Sequence, residues 1–515
     1  MPFLFLAVVL VSCKNDKKIE ATMASKTEQE KYTEPYRPQF HFSPESMWMN
    51  DPNGMVYTKG VYHLFYQYHP DSTVWGPMHW GHATSKDLLH WQHKPIALYP
   101  DEKGFIFSGS AVLDKQNSSG FGTDDNPPLV AIFTYHDAGR KASGDTNFET
   151  QGIAYSLDNG DSWTKYDGNS VVSDENSTDF RDPKVFWYEP DQKWIMSLVA
   201  GHHAQFYGSK NLKDWELLGE FGKDRGAHGG VWECPDLLPF KVEGTDKEKW
   251  VLLISINPGA PNGGSGTQYF IGDFDGKTFT TDQTEVRWID WGTDNYAGVT
   301  FSNAPDDEMI FLGWMSNWLY ANETPTESWR GTMTLPRKLT LEKEGKGYTL
   351  FNYPIEKVDG MISEGSVKDL NIAIGGEESI SVDNLMRSEV RFVTSSKDFQ
   401  LKFGNKVDEE LVLTLKSDGN ELTLDRSRSG KTDFQEDFGK TIQQMPIPDL
   451  PDGKYEVRIL MDRSSIEIFL NKGQYAITAQ VFPNENYNAL NIVNTSDAKA
   501  LEFKNFGIGS VKGVW

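Results

Sequence analysis

Cysteine is scarce in this sequence. Cys13 and Cys234 are the only two, so no disulfide framework holds the fold. Positive charge is also in short supply, with 50 Lys and Arg against 74 Asp and Glu and a net charge of −24. A surface this acidic repels phosphate backbones, which excludes nucleic acid as a partner class. It disfavours anionic polymers such as pectin for the same reason, whereas a neutral polymer meets no such barrier. Convincing helical periodicity is missing throughout, and so is a long apolar run. The greasy start, Phe3 to Val11 (FLFLAVVLV), is far too short to cross a bilayer as a helix.

That short run ends in Leu10-Val11-Ser12-Cys13. It looks like a bacterial lipobox, in which the cysteine becomes the lipidated first residue of the mature chain. No Lys or Arg precedes the run. A polar, Lys-rich stretch follows, with the composition of a disordered tether. Residues 1–38 are therefore expected to be a lipoprotein signal peptide and tether, with Cys13 as the lipidation site. An acylated Cys13 has no thiol left to pair with Cys234. The expected location is the cell envelope, on the outer membrane of a Gram-negative bacterium, periplasmic or surface-exposed.

Aromatic residues are abundant, at 13% of the chain. Such rings fill cores, and their flat faces also match the C–H face of a sugar. From residue 39 to about 345 the pattern is short strands separated by Gly, Asp, Asn and Pro clusters. Val61–Tyr68, Leu129–Tyr135, Val185–Tyr188, Trp194–Val199, Trp250–Ile256 and Met309–Trp314 are examples. A weak repeat runs through them. Ser85-Lys86-Asp87…Trp91 resembles Ser156-Leu157-Asp158…Trp163, Ser209-Lys210-Asn211…Trp215 and, more loosely, Asp273-Phe274-Asp275…Phe279. Radially repeated four-stranded blades produce such a period, and the length accommodates five. The expectation is an all-β chain: a five-bladed β-propeller over 39–345, a linker over 346–364, and an antiparallel β-sandwich over 365–515, where apolar and polar residues alternate. Asp418-Gly419-Asn420 reads as a hairpin turn. The sandwich is expected to pack against the propeller rather than to bind sugar itself.

Three acids sit in turn-like, aromatic-flanked contexts: Asp51 in Trp48-Met49-Asn50-Asp51-Pro52-Asn53-Gly54, Asp182 in Phe180-Arg181-Asp182-Pro183, and Glu233 in Trp232-Glu233-Cys234-Pro235-Asp236. Each alone is an ordinary turn or ion pair. Together they supply the two carboxyl groups that glycoside cleavage needs, one ionised and one protonated at working pH. Their spacing places them on different blades facing one funnel. No EF-hand-like run or His cluster accompanies them, and the adjacent His202-His203 reads as structural. No metal and no cofactor are implied.

WMNDPNG at 48–54, FSGS at 107–110, FRDPKV at 180–185 and ECPD at 233–236 resemble the signature set of glycoside hydrolase family 32, the invertases, inulinases and levanases. Phe65–Tyr68, Trp80–Ala83, Gly313–Trp318 and Asp462–Phe469 (DRSSIEIF) are similar to that family too. The resemblance runs from about Phe40 to the C-terminus. It implies a propeller followed by a sandwich, a retaining double displacement and fructoside substrates. It further implies Asp51 as nucleophile, Glu233 as acid/base and Asp182 as transition-state stabiliser. Asn50, Gln67, Trp75, Phe107, Ser108, Arg181, Trp314 and Trp318 are implied as substrate contacts, with Arg181 also orienting the carboxylates. The expected activity is release of fructose from levan, inulin, fructo-oligosaccharides or sucrose, with exo action preferred. An endo-acting levanase and a non-catalytic fructan-binding protein are the alternatives, followed by a pentosidase on a similar propeller. Linkage preference and oligomeric state are left open by the sequence.

Overall fold

The computed structural model describes residues 32–363, 365–450 and 453–515. Cys13 and the lipobox lie outside these residues.

The first part of the chain forms five antiparallel sheets in sequence order. Their innermost strands are Met47–Thr58, Phe105–Leu113, Phe180–Tyr188, Val231–Lys241 and Tyr296–Thr300. These five strands are mostly buried and rich in apolar residues, as strands enclosed on both faces must be. The ring is closed between the last and first blades. Tyr57 N donates to Ser302 O at 2.9 Å, and Ser302 N returns a bond to Met55 O at 2.9 Å. Trp329–Arg330 also pairs in parallel with Met47–Trp48.

The sequence repeat is a repeated turn between the third and fourth strands of the first four blades. Asp87, Asp158, Asn211 and Asp275 each accept backbone N–H bonds from residues two to four positions on. In three of these turns the indole N–H of the terminal tryptophan caps a turn carbonyl: Trp91 on Leu88, Trp163 on Gly160 and Trp215 on Leu212, at 2.9, 3.2 and 2.9 Å. The short polar side chain satisfies the turn amides, and the Trp163 ring meets Phe65 of the first blade edge to face at 5.5 Å.

All five innermost strands carry a bulge at the same height. Three residue steps on the inner strand face two on its neighbour between Met49 and Pro52, Ile106 and Gly109, Arg181 and Lys184, Glu233 and Asp236, and Tyr296 and Val299. Asp182, Cys234 and Ala297 occupy equivalent bulge positions, with φ of 62°, 48° and 53°. Positive φ costs a non-glycine residue about 1–3 kcal/mol, and such strain clusters at functional sites. Pro183 and Pro235 fit there because a bulge needs no ladder donor. Gly54 follows the first bulge at φ 56°, and a Cβ there would meet the Trp80 ring at 2.5 Å.

The second part is two packed sheets of seven and six strands, enclosing a core that includes Leu401, Leu413, Leu424, Ile459 and Ile468. Asp418–Asn420 joins Glu410–Lys416 to Glu421–Arg428, with Gly419 and Asn420 at positive φ. The linker is shorter than the expected 346–364. Gly347–Pro354 is the outer strand of the fifth blade, paired along its length with Arg337–Glu344. Ile362 already pairs with Val511 in the sandwich. The alternation over Tyr348–Pro354 belongs to a half-buried edge strand, which leaves only a 3₁₀ turn at Glu356–Met361 as the connection.

Charges tie the two parts together. Arg337 of the fifth blade is fully buried and donates to Asp290 at 2.8 Å and to Glu467 of the sandwich at 3.1 Å. Arg426 of the sandwich reaches back to Asp294 at 2.8 Å and to the Tyr320 hydroxyl at 2.9 Å.

Candidate active site

The bulges bring the acids to one end of the propeller axis. There they line a cleft of about 200 Å³ whose walls are Asn50, Asp51, Gln67, Trp75, Phe107, Ser108, His136, Lys141, Arg181, Asp182, Glu233, Asn257 and Trp318. The first blade contributes Asn50 and Asp51, the second Phe107 and Ser108, the third Arg181 and Asp182, and the fourth Glu233.

Asp51 is held by donors. Asn50 Nδ2 gives a bond to Oδ1 at 2.9 Å, and Ser108 Oγ gives one to Oδ2 at 2.8 Å. Asn50 is itself fixed by the Trp48 indole N–H at 2.8 Å. Burial pushes the Asp51 carboxyl up, and the Asn50 and Ser108 bonds pull it back. Asp182 accepts the backbone N–H of Cys234 at 3.0 Å. Burial pushes it well above the usual carboxylate range, and the nearby charge of Glu233 adds to this while Arg181 opposes. The Cys234 thiol lies between two acids, 3.7 Å from Asp51 Oδ2 and 3.6 Å from Asp182 Oδ2. Burial beside these carboxylates raises its proton affinity, so it stays a thiol.

Glu233 is gripped at both oxygens. Arg181 Nη1 donates to Oε1 at 3.0 Å, and the Tyr296 hydroxyl makes a short bond to Oε2. Burial pushes the Glu233 carboxyl up; Arg181 lowers it, Asp51 raises it and Tyr296 lowers it. Arg181 is fully engaged, with Nε on Glu149 at 3.1 Å and Nη2 on Asp179. One carboxyl therefore rests among neutral donors and another between a cation, a phenol and a second carboxylate. These are the unlike environments that separate a nucleophile from an acid.

Gln67 is buried and donates to Ile106 O at 3.0 Å. Trp75 stands 39% exposed at the mouth, with its backbone N–H on Asn322 Oδ1 at 2.9 Å. Phe107 meets Trp75 edge to face at 6.2 Å. Trp314, also expected as a substrate contact, sits deeper. It is wholly buried, packs on Trp318 at 5.0 Å and on Trp48 at 5.9 Å, and is not part of the cleft wall. Trp318, four residues further along the chain, is half-buried and lines the cleft. Asp236 of the ECPD run is structural too, because it accepts the Thr300 N–H at 2.7 Å and pairs with Lys184 at 3.3 Å.

Sequence reasoning missed His136, Lys141, Glu149, Asn257 and Tyr296. Tyr296-Ala297-Gly298 occupies in the fifth blade the place of Glu233-Cys234-Pro235 in the fourth, and only an alignment of blades signals it. The others carry no motif.

Among the described residues no cluster of His, Cys, Asp and Glu is suited to hold a metal.

The Glycosyl hydrolases family 32 N-terminal domain matches residues 41–354, and the Glycosyl hydrolases family 32 C terminal domain matches residues 361–508. A levanase of Bacillus subtilis is 44% identical over 495 residues, covering 94% of this chain and 72% of that protein. An extracellular exo-inulinase of Aspergillus niger is 39% identical over 502 residues, covering 91% of this chain and 93% of its own. The crystal structure of exo-inulinase from Aspergillus awamori superposes with a TM-score of 0.87 at 36% identity, covering 94% of this chain and 100% of that one. A β-fructofuranosidase from Schwanniomyces occidentalis, complexed with fructosyl-erythritol, gives 0.82 at 32% identity, covering 94% and 99%. Matched along both of its parts, with its three acids on the innermost strands of the first, third and fourth of five blades, this chain belongs to glycosyl hydrolase family 32.

Proposed function

We propose that this protein hydrolyses β-fructosides, releasing fructose by double displacement. The observation that carries the reading is the convergence of Asp51, Asp182 and Glu233 in one small cleft, with donors on the first and a cation and a phenol on the last. The Asp51 carboxylate attacks the anomeric C2 of the terminal fructosyl unit. As the C2–O bond breaks, Glu233 gives its proton to the leaving oxygen. Water then attacks C2, Glu233 takes the water's proton, and Asp51 is released. Asp182 faces the sugar hydroxyls and adds negative potential to a cationic, oxocarbenium-like transition state. No cofactor takes part in these steps.

Exo action on levan, inulin and shorter fructosides is the preferred reading. Relatives named levanase and exo-inulinase cover nearly the whole chain. The cleft, walled by Trp75, Phe107 and Trp318, has room for about one sugar ring. A product time course on levan, inulin and sucrose tests this. Free fructose from the first time point supports it, a ladder of oligosaccharides replaces it with endo action, and no product from any of the three overturns it.

The protein is further read as an envelope lipoprotein anchored through Cys13. The support is the apolar run followed by Leu10-Val11-Ser12-Cys13 and a polar tether. Cys13→Ala is expected to move the protein from the membrane fraction to the soluble one, and unchanged membrane association overturns the anchor.

A further inference from the structure

Glu149 is a buried carboxylate with no place in the reaction steps above. It opens the third strand of the second blade, Glu149–Ser156, and pairs across the sheet with His136. Its side chain is 1% exposed. Each oxygen has a separate partner. Oε1 lies 2.8 Å from His136 Nδ1, and Oε2 accepts from Arg181 Nε at 3.1 Å.

Both partners lead into the cleft. The Arg181 guanidinium is planar, so holding Nε sets the direction in which Nη1 points, and Nη1 is on Glu233 Oε1. The His136 ring lies flat on Phe107, with centroids 4.2 Å apart and planes 13° from parallel, and both rings line the cleft. Burial pushes the Glu149 carboxyl up, but the Arg181 charge and the His136 bond outweigh it and hold the group below its ordinary value. It is therefore an anion at working pH.

We propose that Glu149 is a positioning residue. One oxygen locks Arg181 against the acid/base carboxylate, the other fixes the His136–Phe107 wall, and its charge sets the pH above which the enzyme loses activity. The proposal rests on reading Glu233 as the acid/base. The groups facing Glu233 are Arg181, Asp51, Asp182, Cys234, Tyr296 and Glu149 itself. The Glu149 charge favours the protonated form of Glu233 directly, and it also offsets part of the Arg181 charge. Removing it acts in one direction through both routes. Glu233 then loses its proton more readily, and the alkaline limb of activity moves to lower pH.

The test is Glu149→Gln, which keeps the shape and one acceptor, the amide oxygen for Arg181 Nε, turns the amide N–H to His136 Nδ1, and removes the charge. The pH dependence of kcat/KM is measured on the full chain with sucrose. The expected result is an alkaline limb moved towards acid by about half a unit to one unit. A limb that stays where the wild type has it overturns the proposal, even if activity falls. His136→Asn separates the two arms and still decides the matter if Glu149→Gln fails to fold. It removes the ring stacked on Phe107 but leaves the Glu149–Arg181 bond and the Arg181 charge, which does more than His136 to keep Glu149 ionised, so KM rises while the alkaline limb stays in place. A moved limb or an unchanged KM in that variant overturns the proposal. Glu233→Gln is measured alongside. If that variant keeps wild-type turnover, the acid/base assignment fails by itself, whatever Glu149→Gln shows.

Discussion

Tyr296 donates its phenolic hydrogen to Glu233 Oε2 across the seam between the fourth and fifth blades. Arg181 takes the other oxygen from the third blade. The Glu233 carboxyl, the proposed acid/base, is thus set by three blades at once, and no single segment of sequence contains its environment.

The first prediction concerns that bond. Tyr296→Phe removes a donor that favours the ionised form of Glu233. The alkaline limb of kcat/KM then moves to higher pH, opposite to the effect expected for Glu149→Gln. Turnover at the optimum falls about 10- to 100-fold, the worth of one hydrogen bond to a charged group. Glu233→Gln goes further, by about 10²- to 10⁴-fold. Steady-state kinetics between pH 3 and 9 read both effects, and a Tyr296→Phe limb at its wild-type position refutes the role of the phenol.

Ser108→Ala tests the nucleophile's surroundings. The Ser108 hydroxyl and the Asn50 amide hold the Asp51 carboxyl down against burial. As the proposed nucleophile, Asp51 attacks only when ionised, so activity is expected above its pKa. Losing one donor raises that pKa, and the acid limb of kcat/KM moves to higher pH. An acid limb that does not move means that Ser108 does not govern the ionisation.

Stability is expected to depend on pH through His41. This histidine is fully buried where the start of the propeller meets the sandwich, with Nδ1 2.9 Å from Asp462 Oδ2. Burial opposes its charge, but bonds to Asp462 and Glu467 overcome this and push it up to about 9. A group raised above its unfolded value of about 6.5 stabilises the fold fully below that pH, and the contribution fades as pH rises towards 9. The thermal midpoint should therefore fall between pH 7 and 9, and it should fall less in His41→Gln. Equal slopes in the two proteins refute the assignment.

Arg426→Met breaks a buried pair between the sandwich and the propeller. Asp294 is left as an uncompensated buried charge, and the unfolding free energy falls by about 3–5 kcal/mol. Tyr320, which Arg426 and Asp294 both hold, lies two residues from Trp318 on the cleft wall. KM for fructosides is therefore expected to rise as well. A denaturant titration and a saturation curve check the two effects, and a loss of stability below about 1 kcal/mol argues against a buried pair.

Much of the site was legible because its chemistry is local. Asp51, Asp182 and Glu233 each sit in a short run with a proline close behind, Pro52, Pro183 and Pro235, which reads as a turn singly and as a paired-carboxyl site when the three are taken together. The repeat of Asp87, Asp158 and Asn211 marked the blades because one short polar side chain satisfies one turn within a few residues. The linker was drawn too long because Gly347–Pro354 is held in the fifth blade by its ladder with Arg337–Glu344, a pairing that its own residues do not state. Trp314 and Trp318 could not be told apart in advance, since four residues of an aromatic run do not state which ring faces the cleft.

The sequence by itself determined the family, the all-β architecture and the three acids, because motif, turn chemistry and alternation act over a few residues. Only the tertiary structure decided how those acids ionise. Glu149 reaches Arg181 from another blade, Tyr296 reaches Glu233 across a seam, and Cys234 sits against both Asp51 and Asp182. A carboxyl's proton affinity depends on burial and on charges within a few ångströms, and those neighbours are set by the closing of the ring rather than by order along the chain.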